Sequence, residues 1–244
     1  MKEPMLNVKQ CLILAAGNGT RMRPVSGSLP KPLVEFRGRP ILEHVIDRAR
    51  EAGIEEFVVV VGYRGDLIRE WFESQWKGKA SFTWVENPDY HKHNGISALK
   101  ARSALRGNFL LLMADHLFEP ETARKLARER LAPREVVLAV DPNVESNFDI
   151  DDATKVRRIG DSIVDIGKEI AEYDALDTGM FLCSPALFDD LEAASKDGNC
   201  SLSDGMRRVA SDGRLRAMEI GDAPWHDVDT PEALAHAEDN LVYA

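Results

Sequence analysis

Residues Gln10–Ala15 read QCLILA, an apolar run that stops at a loop holding Gly17 and Gly19. A run so short and so apolar suits a strand buried on both faces, as in a parallel sheet. Similar runs return at 57–61, 108–113 and 136–140, and helix-like stretches lie at 41–52, 66–75, 96–105 and 121–131. Strands alternating with helices of this length predict βαβ units, hence an α/β fold with a mainly parallel central sheet and helices on both faces. The pattern changes after residue 141, where short strand candidates at 154–158, 162–166 and 180–183 are separated by turns. They predict a small antiparallel lobe over roughly 141–184. Helices at 185–194 and 201–210, a strand at 214–220 and a closing helix at 231–241 complete the expected order. No repeat and no Pro/Ser-rich linker divides the 244 residues, so a single domain over 1–244 is expected.

Charge and cysteine content narrow the function. The net charge of −10 leaves no basic excess to neutralise a nucleic-acid backbone. A small anionic ligand is still compatible, because a few local cations can overcome the global field. The three cysteines, Cys11, Cys183 and Cys200, form no metal-ligand spacing, and unpaired thiols suit a reducing cytoplasm. No apolar run approaches a membrane span, and the N-terminus has no signal-peptide core.

The loop after the first strand carries the strongest chemical signal. Leu14, Ala15, Ala16, Gly17, Asn18, Gly19 and Thr20 are small or flexible, so the backbone can approach a ligand and line an anion site with N–H groups. Arg21, Arg23 and Lys31 add positive charge for phosphates. The spacing is not the GxxxxGK[ST] of a P-loop. It is not GxGxxG either, since Met22 stands where the third glycine would fall.

Carboxylates supply the other half of a phosphate-transfer site. Asp115 follows the strand at 108–113, where open α/β sheets bind ligands; on its own it also fits a turn or a cap. Asp227 and Asp229 precede the last helix, with Thr230 placed to cap it and Pro231 at its first position. Two such carboxylates can hold one Mg²⁺. Lys168 follows a strand of the small lobe and suits a phosphate. His91 and His93 lack a third ligand for zinc, and a polar loop opening a helix fits them better. Asn94 and Ser97 in that loop are candidates for contact with nucleotide or acceptor.

The segments LAAGNGTRMRP and LPKPLVEF resemble the opening motif of the sugar-nucleotidyltransferase superfamily. That resemblance implies a Rossmann-like nucleotidyltransferase fold and transfer of a nucleotidyl group to a phosphorylated acceptor. It assigns the nucleotide to the Ala15–Gly19 backbone, and Leu14, Thr20, Asn94, Gly95 and Ser97 complete the expected nucleotide site. It makes Arg21, Lys31 and Lys168 the catalytic cations, and Asp115 with Asp229 the Mg²⁺ pair, Asp227 competing with Asp229. The later segments DIDDATKV, IGKEI, DTGMF, SLSDG and WHDVDT, together with Asp115-His116, are similar to CTP:inositol-1-phosphate cytidylyltransferases. In that family Lys168, Asp177, Thr178 and Gly179 would meet the acceptor, and the domain is often fused to a membrane-embedded transferase.

The reaction so implied joins CTP and inositol 1-phosphate to give CDP-inositol and pyrophosphate. Phosphocholine or a sugar 1-phosphate is the alternative acceptor. The chain ends after one closing helix, which predicts a stand-alone enzyme or an isolated domain, with a membrane-embedded downstream transferase as candidate partner. A nucleotide-sensing subunit without activity is the rival from another class; Arg21, Lys31, Asp115 and Asp229 together argue against it. A dinucleotide binder is disfavoured by the missing third glycine.

Overall fold

A computed structural model describes residues 8–146 and 148–241. The first strand, β1 (Gln10–Ala15), leads into the glycine loop, which carries a one-turn helix, α1 (Arg23–Ser26), and a hairpin of β2 (Glu35–Phe36) and β3 (Arg39–Pro40). There follow α2 (Ile41–Glu51), β4 (Glu56–Val61), α3 (Gly65–Gln75), β5 (Ser81–Glu86), α4 (Asn94–Lys100), β6 (Phe109–Met113), β7 (His116–Phe118), α5 (Pro120–Arg128) and β8 (Val136–Asp141). The second half holds β9 (Lys155–Ile159), β10 (Ser162–Gly167), β11 (Ala175–Cys183), α6 (Leu187–Ala194), α7 (Leu202–Ser211), β12 (Leu215–Glu219), β13 (Trp225–Asp227) and α8 (Pro231–Asn240).

The main sheet has nine strands in the order β5-β4-β1-β6-β11-β8-β12-β10-β9. β1 pairs in parallel with β4 and β6, while β11 runs antiparallel to both β6 and β8. The antiparallel strands expected after residue 141 are present and continue this sheet. β9 also pairs with the start of β11, so β11, β8, β12, β10 and β9 curl into a closed roll beside the parallel half.

Alternation along each central strand explains why both faces are covered. Leu12 and Leu14 of β1 face one core, with Ala98 of α4, Phe188 and Leu191 of α6, and Met206 and Val209 of α7. Cys11, Ile13 and Ala15 face the other, with Val45 and Ile46 of α2, Phe72 of α3 and Leu126 of α5. Burial on both sides accounts for the unbroken apolar runs seen in the sequence.

A third, smaller cluster positions the functional loops. Met22, Val34, Phe36, Ile41, Leu117, Val228, Ala237 and Leu241 are buried together. Met22 and Val228 are both 0% exposed, so the glycine loop and the segment before α8 are pinned to one another. The long segment 16–40 is accordingly ordered by its own apolar anchors. α8 starts as expected, with the Thr230 side chain accepting from Ala233 N at 3.1 Å and Pro231 in the first turn.

Two boundaries differ from expectation for visible reasons. The predicted strand 180–183 is the far end of β11, which begins at Ala175. Asp177 and Gly179 interrupt its apolar pattern, and the register with β8 shifts between Asp177 and Phe181. The predicted helix 96–105 starts earlier, at Asn94, and ends at Lys100 before a 3-10 turn at Arg102–Ala104.

Candidate active site

The C-terminal ends of β1 and β6 open onto two adjoining cavities. One, of about 290 Å³, is lined by Leu14, Ala15, residues 17–21, Lys31, Asp115 and Asp229. The other, of about 270 Å³, is lined by Asn94, Lys168, Asp177, Gly179, Trp225 and six carboxylates in all, again including Asp115 and Asp229. Asp115 and Asp229 therefore stand at the junction of the two.

Backbone geometry brings them there. β7 and β13 pair so that Asp227 lies opposite His116, and Val228 N donates to the Asp115 carbonyl at 3.0 Å. Asp115, His116, Asp227 and Asp229 are thus held by one small antiparallel ladder, too short to be read from sequence. The glycine loop meets it from the other side. Gly19 has φ +54°, and a Cβ there would come within 2.7 Å of the Lys31 Cβ. Glycine at this position lets the loop close onto the lysine.

Opposite charges alternate through the site. Lys168 Nζ donates to Asp152 Oδ1 at 2.5 Å, and Arg21 donates to the other oxygen of Asp152 at 2.6 Å. Arg21 also donates to Asp229. Lys31 donates to Asp229 and, at 2.6 Å, to Asp115 Oδ2. Beyond them His116 Nε2 lies 3.7 Å from Asp115 and 3.4 Å from Asp227. Burial works against the charge on Lys31, but Asp115 and Asp229 outweigh it and raise its pKa, so it is an ammonium at any working pH. Burial likewise opposes charge on His116, and Asp227 and Asp115 overcome it, holding the pKa at about 10. Burial pushes the Asp177 carboxyl up to about 6, although Gly179 N–H donates to it.

The carboxylates fit a divalent cation. Asp115 Oδ1 and Asp227 Oδ1 are buried with no hydrogen-bond partner among the described residues, which is costly unless something binds there. The carboxylate oxygens of Asp115, Asp227 and Asp229 are hard donors, the kind that magnesium and calcium prefer. Asp115, His116 and Asp227 also offer ligand atoms within 4.8 Å of one another. Asp229 is outside that group, and its two oxygens are engaged by Arg21 and Lys31.

Most residues singled out from sequence converge, and a few stand apart. Ala16 is buried and its carbonyl accepts from Tyr63 N at 3.1 Å. Asn94 lines the acid-lined cavity while its side-chain oxygen accepts from Leu202 N at 2.8 Å. Gly95 and Ser97 line neither cavity. Gly95 packs against Cys200, where a Cβ would lie 2.7 Å from the Cys200 carbonyl oxygen, and the Ser97 hydroxyl accepts from buried Asn87 at 2.9 Å. Thr178 is fully buried, its hydroxyl donating to the Ala139 carbonyl at 2.8 Å. Its own carbonyl lies 2.8 Å from His116 Nδ1. Gly179 has φ +73°, and a Cβ there would fall 2.3 Å from that ring nitrogen. Gly179→Ala is therefore expected to cost about 2–4 kcal/mol in stability, read from urea unfolding. An unchanged midpoint would mean that the imidazole moves aside freely.

Three residues in the site carried no assigned role in the sequence. Asp152 sits in the segment DIDDATKV among other acids, and nothing local distinguishes it. His116 and Trp225 are adjacent to or within segments noted for their aspartates, and their inward placement depends on the β7–β13 pairing.

Fold and site together define a Rossmann-like α/β nucleotidyltransferase. The family model for the MobA-like NTP transferase domain matches residues 11–217, and the chain belongs to that family. Among curated proteins it is similar to a bifunctional IPC transferase and DIPP synthase of Rubrobacter xylanophilus, 38% identical over 232 residues, which cover 94% of this chain and 51% of that protein. The protein of the same description from Thermococcus kodakarensis is 34% identical over 239 residues, covering 96% of this chain and 51% of that protein. The chain thus spans about half the length of these relatives. Among solved structures, the inositol-1-phosphate CTP transferase from T. maritima superposes with a TM-score of 0.83 at 25% identity, covering 98% of this chain and 100% of that one. A UDP-glucose pyrophosphorylase complexed with UDP-glucose superposes at 0.81 with 20% identity over 96% of this chain and 98% of that one, a likeness of fold. No helix of the described residues is long and apolar enough to cross a membrane.

Proposed function

We propose that this chain is a Mg²⁺-dependent cytidylyltransferase that joins CTP and inositol 1-phosphate to give CDP-inositol and pyrophosphate. The observation that carries the reading is the meeting of two cavities at Asp115 and Asp229, with Arg21 and Lys31 on one side and Lys168 on the other. The names of the Rubrobacter, Thermococcus and T. maritima proteins support the choice of substrates.

In this reading the glycine loop takes the triphosphate and the acid-lined cavity takes the acceptor. An acceptor phosphate oxygen attacks the α-phosphorus, the bond from that phosphorus to the bridging oxygen of the β-phosphate breaks, and pyrophosphate leaves with the electron pair. A phosphate monoester has its second pKa near about 6 and is largely dianionic at neutral pH, so no general base is needed. The task is to bring two anions together. Arg21 faces the leaving pyrophosphate, Lys31 the α-phosphate and Lys168 the acceptor phosphate. Asp115 and Asp229 would hold Mg²⁺, which when bound neutralises phosphate oxygens at the junction. We assign the metal to this pair over Asp227 because Asp227 lines only the acceptor cavity.

The acceptor cavity favours a polyol over phosphocholine. Its carboxylates can accept hydrogen bonds from hydroxyl groups. A quaternary ammonium calls for an aromatic cage, and the described lining offers Trp225, the buried Phe181 and the His226 ring, with His116 a cation that would repel it. Lys168→Ala is expected to raise KM for inositol 1-phosphate about tenfold or more while leaving KM for CTP within about threefold. The reading extends to one domain over 1–244, with 141–184 as the acceptor side, working in the cytoplasm beside a membrane-embedded transferase that consumes its product. Pyrophosphate release from CTP is the direct test: it should require both inositol 1-phosphate and Mg²⁺ and cease with a chelator. Release without the acceptor or in the presence of excess chelator would contradict it.

A further inference from the structure

Asp152 lies in the turn that precedes β9, far in sequence from the glycine loop, yet both of its oxygens are engaged by cations of the site. Oδ2 accepts from Arg21 at 2.6 Å and Oδ1 from Lys168 Nζ at 2.5 Å. Arg21 comes from the nucleotide side and Lys168 from the acceptor side. Two cations from separate elements converging on one small anion is the arrangement by which proteins bind phosphate oxygens. Partial burial disfavours the charged carboxyl, but Arg21 and Lys168 outweigh it and hold the pKa below the usual carboxylate value. Asp152 is thus an anion at neutral pH, in the place where phosphates would have to come.

We infer that Asp152 is a positioning residue that occupies a phosphate subsite shared by the two substrates and competes with their phosphates for Arg21 and Lys168. The inference rests on the reading of those two residues as phosphate cations. It has a consequence for the order of binding. An acceptor arriving first must displace a carboxylate clamped by two cations. Once the triphosphate has drawn Arg21 away, only the half-exposed Lys168 contact remains to be replaced. Asp152 therefore favours nucleotide first and acceptor second, and it keeps the two cations near one another while the site is without phosphates.

Binding of inorganic phosphate to the nucleotide-free protein, measured by calorimetry, tests this without reference to acceptor or base identity. Asp152→Asn keeps the shape and removes the charge. It is expected to tighten phosphate binding about threefold or more, in line with the modest strength of half-exposed ion pairs. The gain should vanish when Asp152→Asn is combined with Lys168→Ala, as a double-mutant cycle requires of coupled partners. In turnover, Asp152→Asn should lower KM for the acceptor, because its phosphate no longer has to displace a carboxylate from Lys168. A smaller gain, no change or a loss in phosphate affinity would overturn the inference. So would a gain that survives Lys168→Ala. Unchanged phosphate binding with a raised KM for inositol 1-phosphate would instead make Asp152 a direct partner of the acceptor's hydroxyls. If wild-type protein shows no transfer from CTP to inositol 1-phosphate, the substrate assignment fails while the phosphate measurement still decides the role of Asp152.

Discussion

Lys31→Ala is expected to lower kcat about a hundredfold or more while leaving Mg²⁺ binding intact. The lysine is 7% exposed and its ammonium lies between Asp115 and Asp229 at the junction of the two cavities. A buried, preorganised cation at the point where charge develops is worth far more than one in solvent, and loss of a comparable donor costs two to three orders of magnitude in turnover. The variant also leaves two carboxylates facing each other without the cation between them. Removing one partner of a buried pair is strongly destabilising. Added Mg²⁺ should therefore raise its thermal midpoint more than it raises that of the wild type. Near-normal kcat would remove Lys31 from the reaction. A large loss of kcat with weakened Mg²⁺ binding would make it a structural support of the metal site.

The second large effect concerns the metal. Asp115→Asn and Asp229→Asn are each expected to raise the Mg²⁺ concentration for half-maximal turnover about tenfold or more and to lower kcat about a hundredfold, since under the proposed assignment each removes a charged oxygen ligand. Asp227→Asn should do less. Its carboxylate lies in the acceptor cavity and faces His116, whose positive charge it helps to hold. The opposite ranking, with Asp227→Asn costing more than Asp229→Asn, would move the metal to the cluster of Asp115, His116 and Asp227.

The parts of this architecture legible in the sequence are those set by short-range patterns. Buried strands such as β1, β4 and β6 are apolar without interruption because helices cover both faces. The glycine loop and its cations announce themselves because closeness to a ligand demands small residues and positive charge. What the sequence hid depends on long-range pairing. β11 reads as a short strand because Asp177 and Gly179 break its pattern where it bends around the site. The segment 16–40 reads as a long loop with a ligand-binding start, and nothing local shows that Met22, Val34 and Phe36 tie it to α8 through a small core of their own. The ladder of β7 and β13 has three residues in each strand, and it alone brings His116 opposite Asp227. Asp152 was invisible as a partner of Arg21, because 131 residues separate them and only the curl of β9 and β10 brings them together.

The same distinction explains why some candidates near the site are structural. Gly95 and Ser97 lie at the start of a helix beside the acid-lined cavity, a position that suggests ligand contact. The structure turns them toward Cys200 and Asn87. Sequence position along a helix does not reveal which face meets the core when the helix is a single short one. Asn94, one residue earlier, does line the cavity.

The proposed pairing of CTP with inositol 1-phosphate shows itself in the product that forms. The most direct measurement is product identification by mass spectrometry in a grid of the four nucleoside triphosphates against inositol 1-phosphate, phosphocholine, glucose 1-phosphate and mannose 1-phosphate, with Mg²⁺. CDP-inositol should form with kcat/KM well above every other combination. Preferred transfer of another nucleotide, or preferred transfer to phosphocholine or a sugar 1-phosphate, would contradict it.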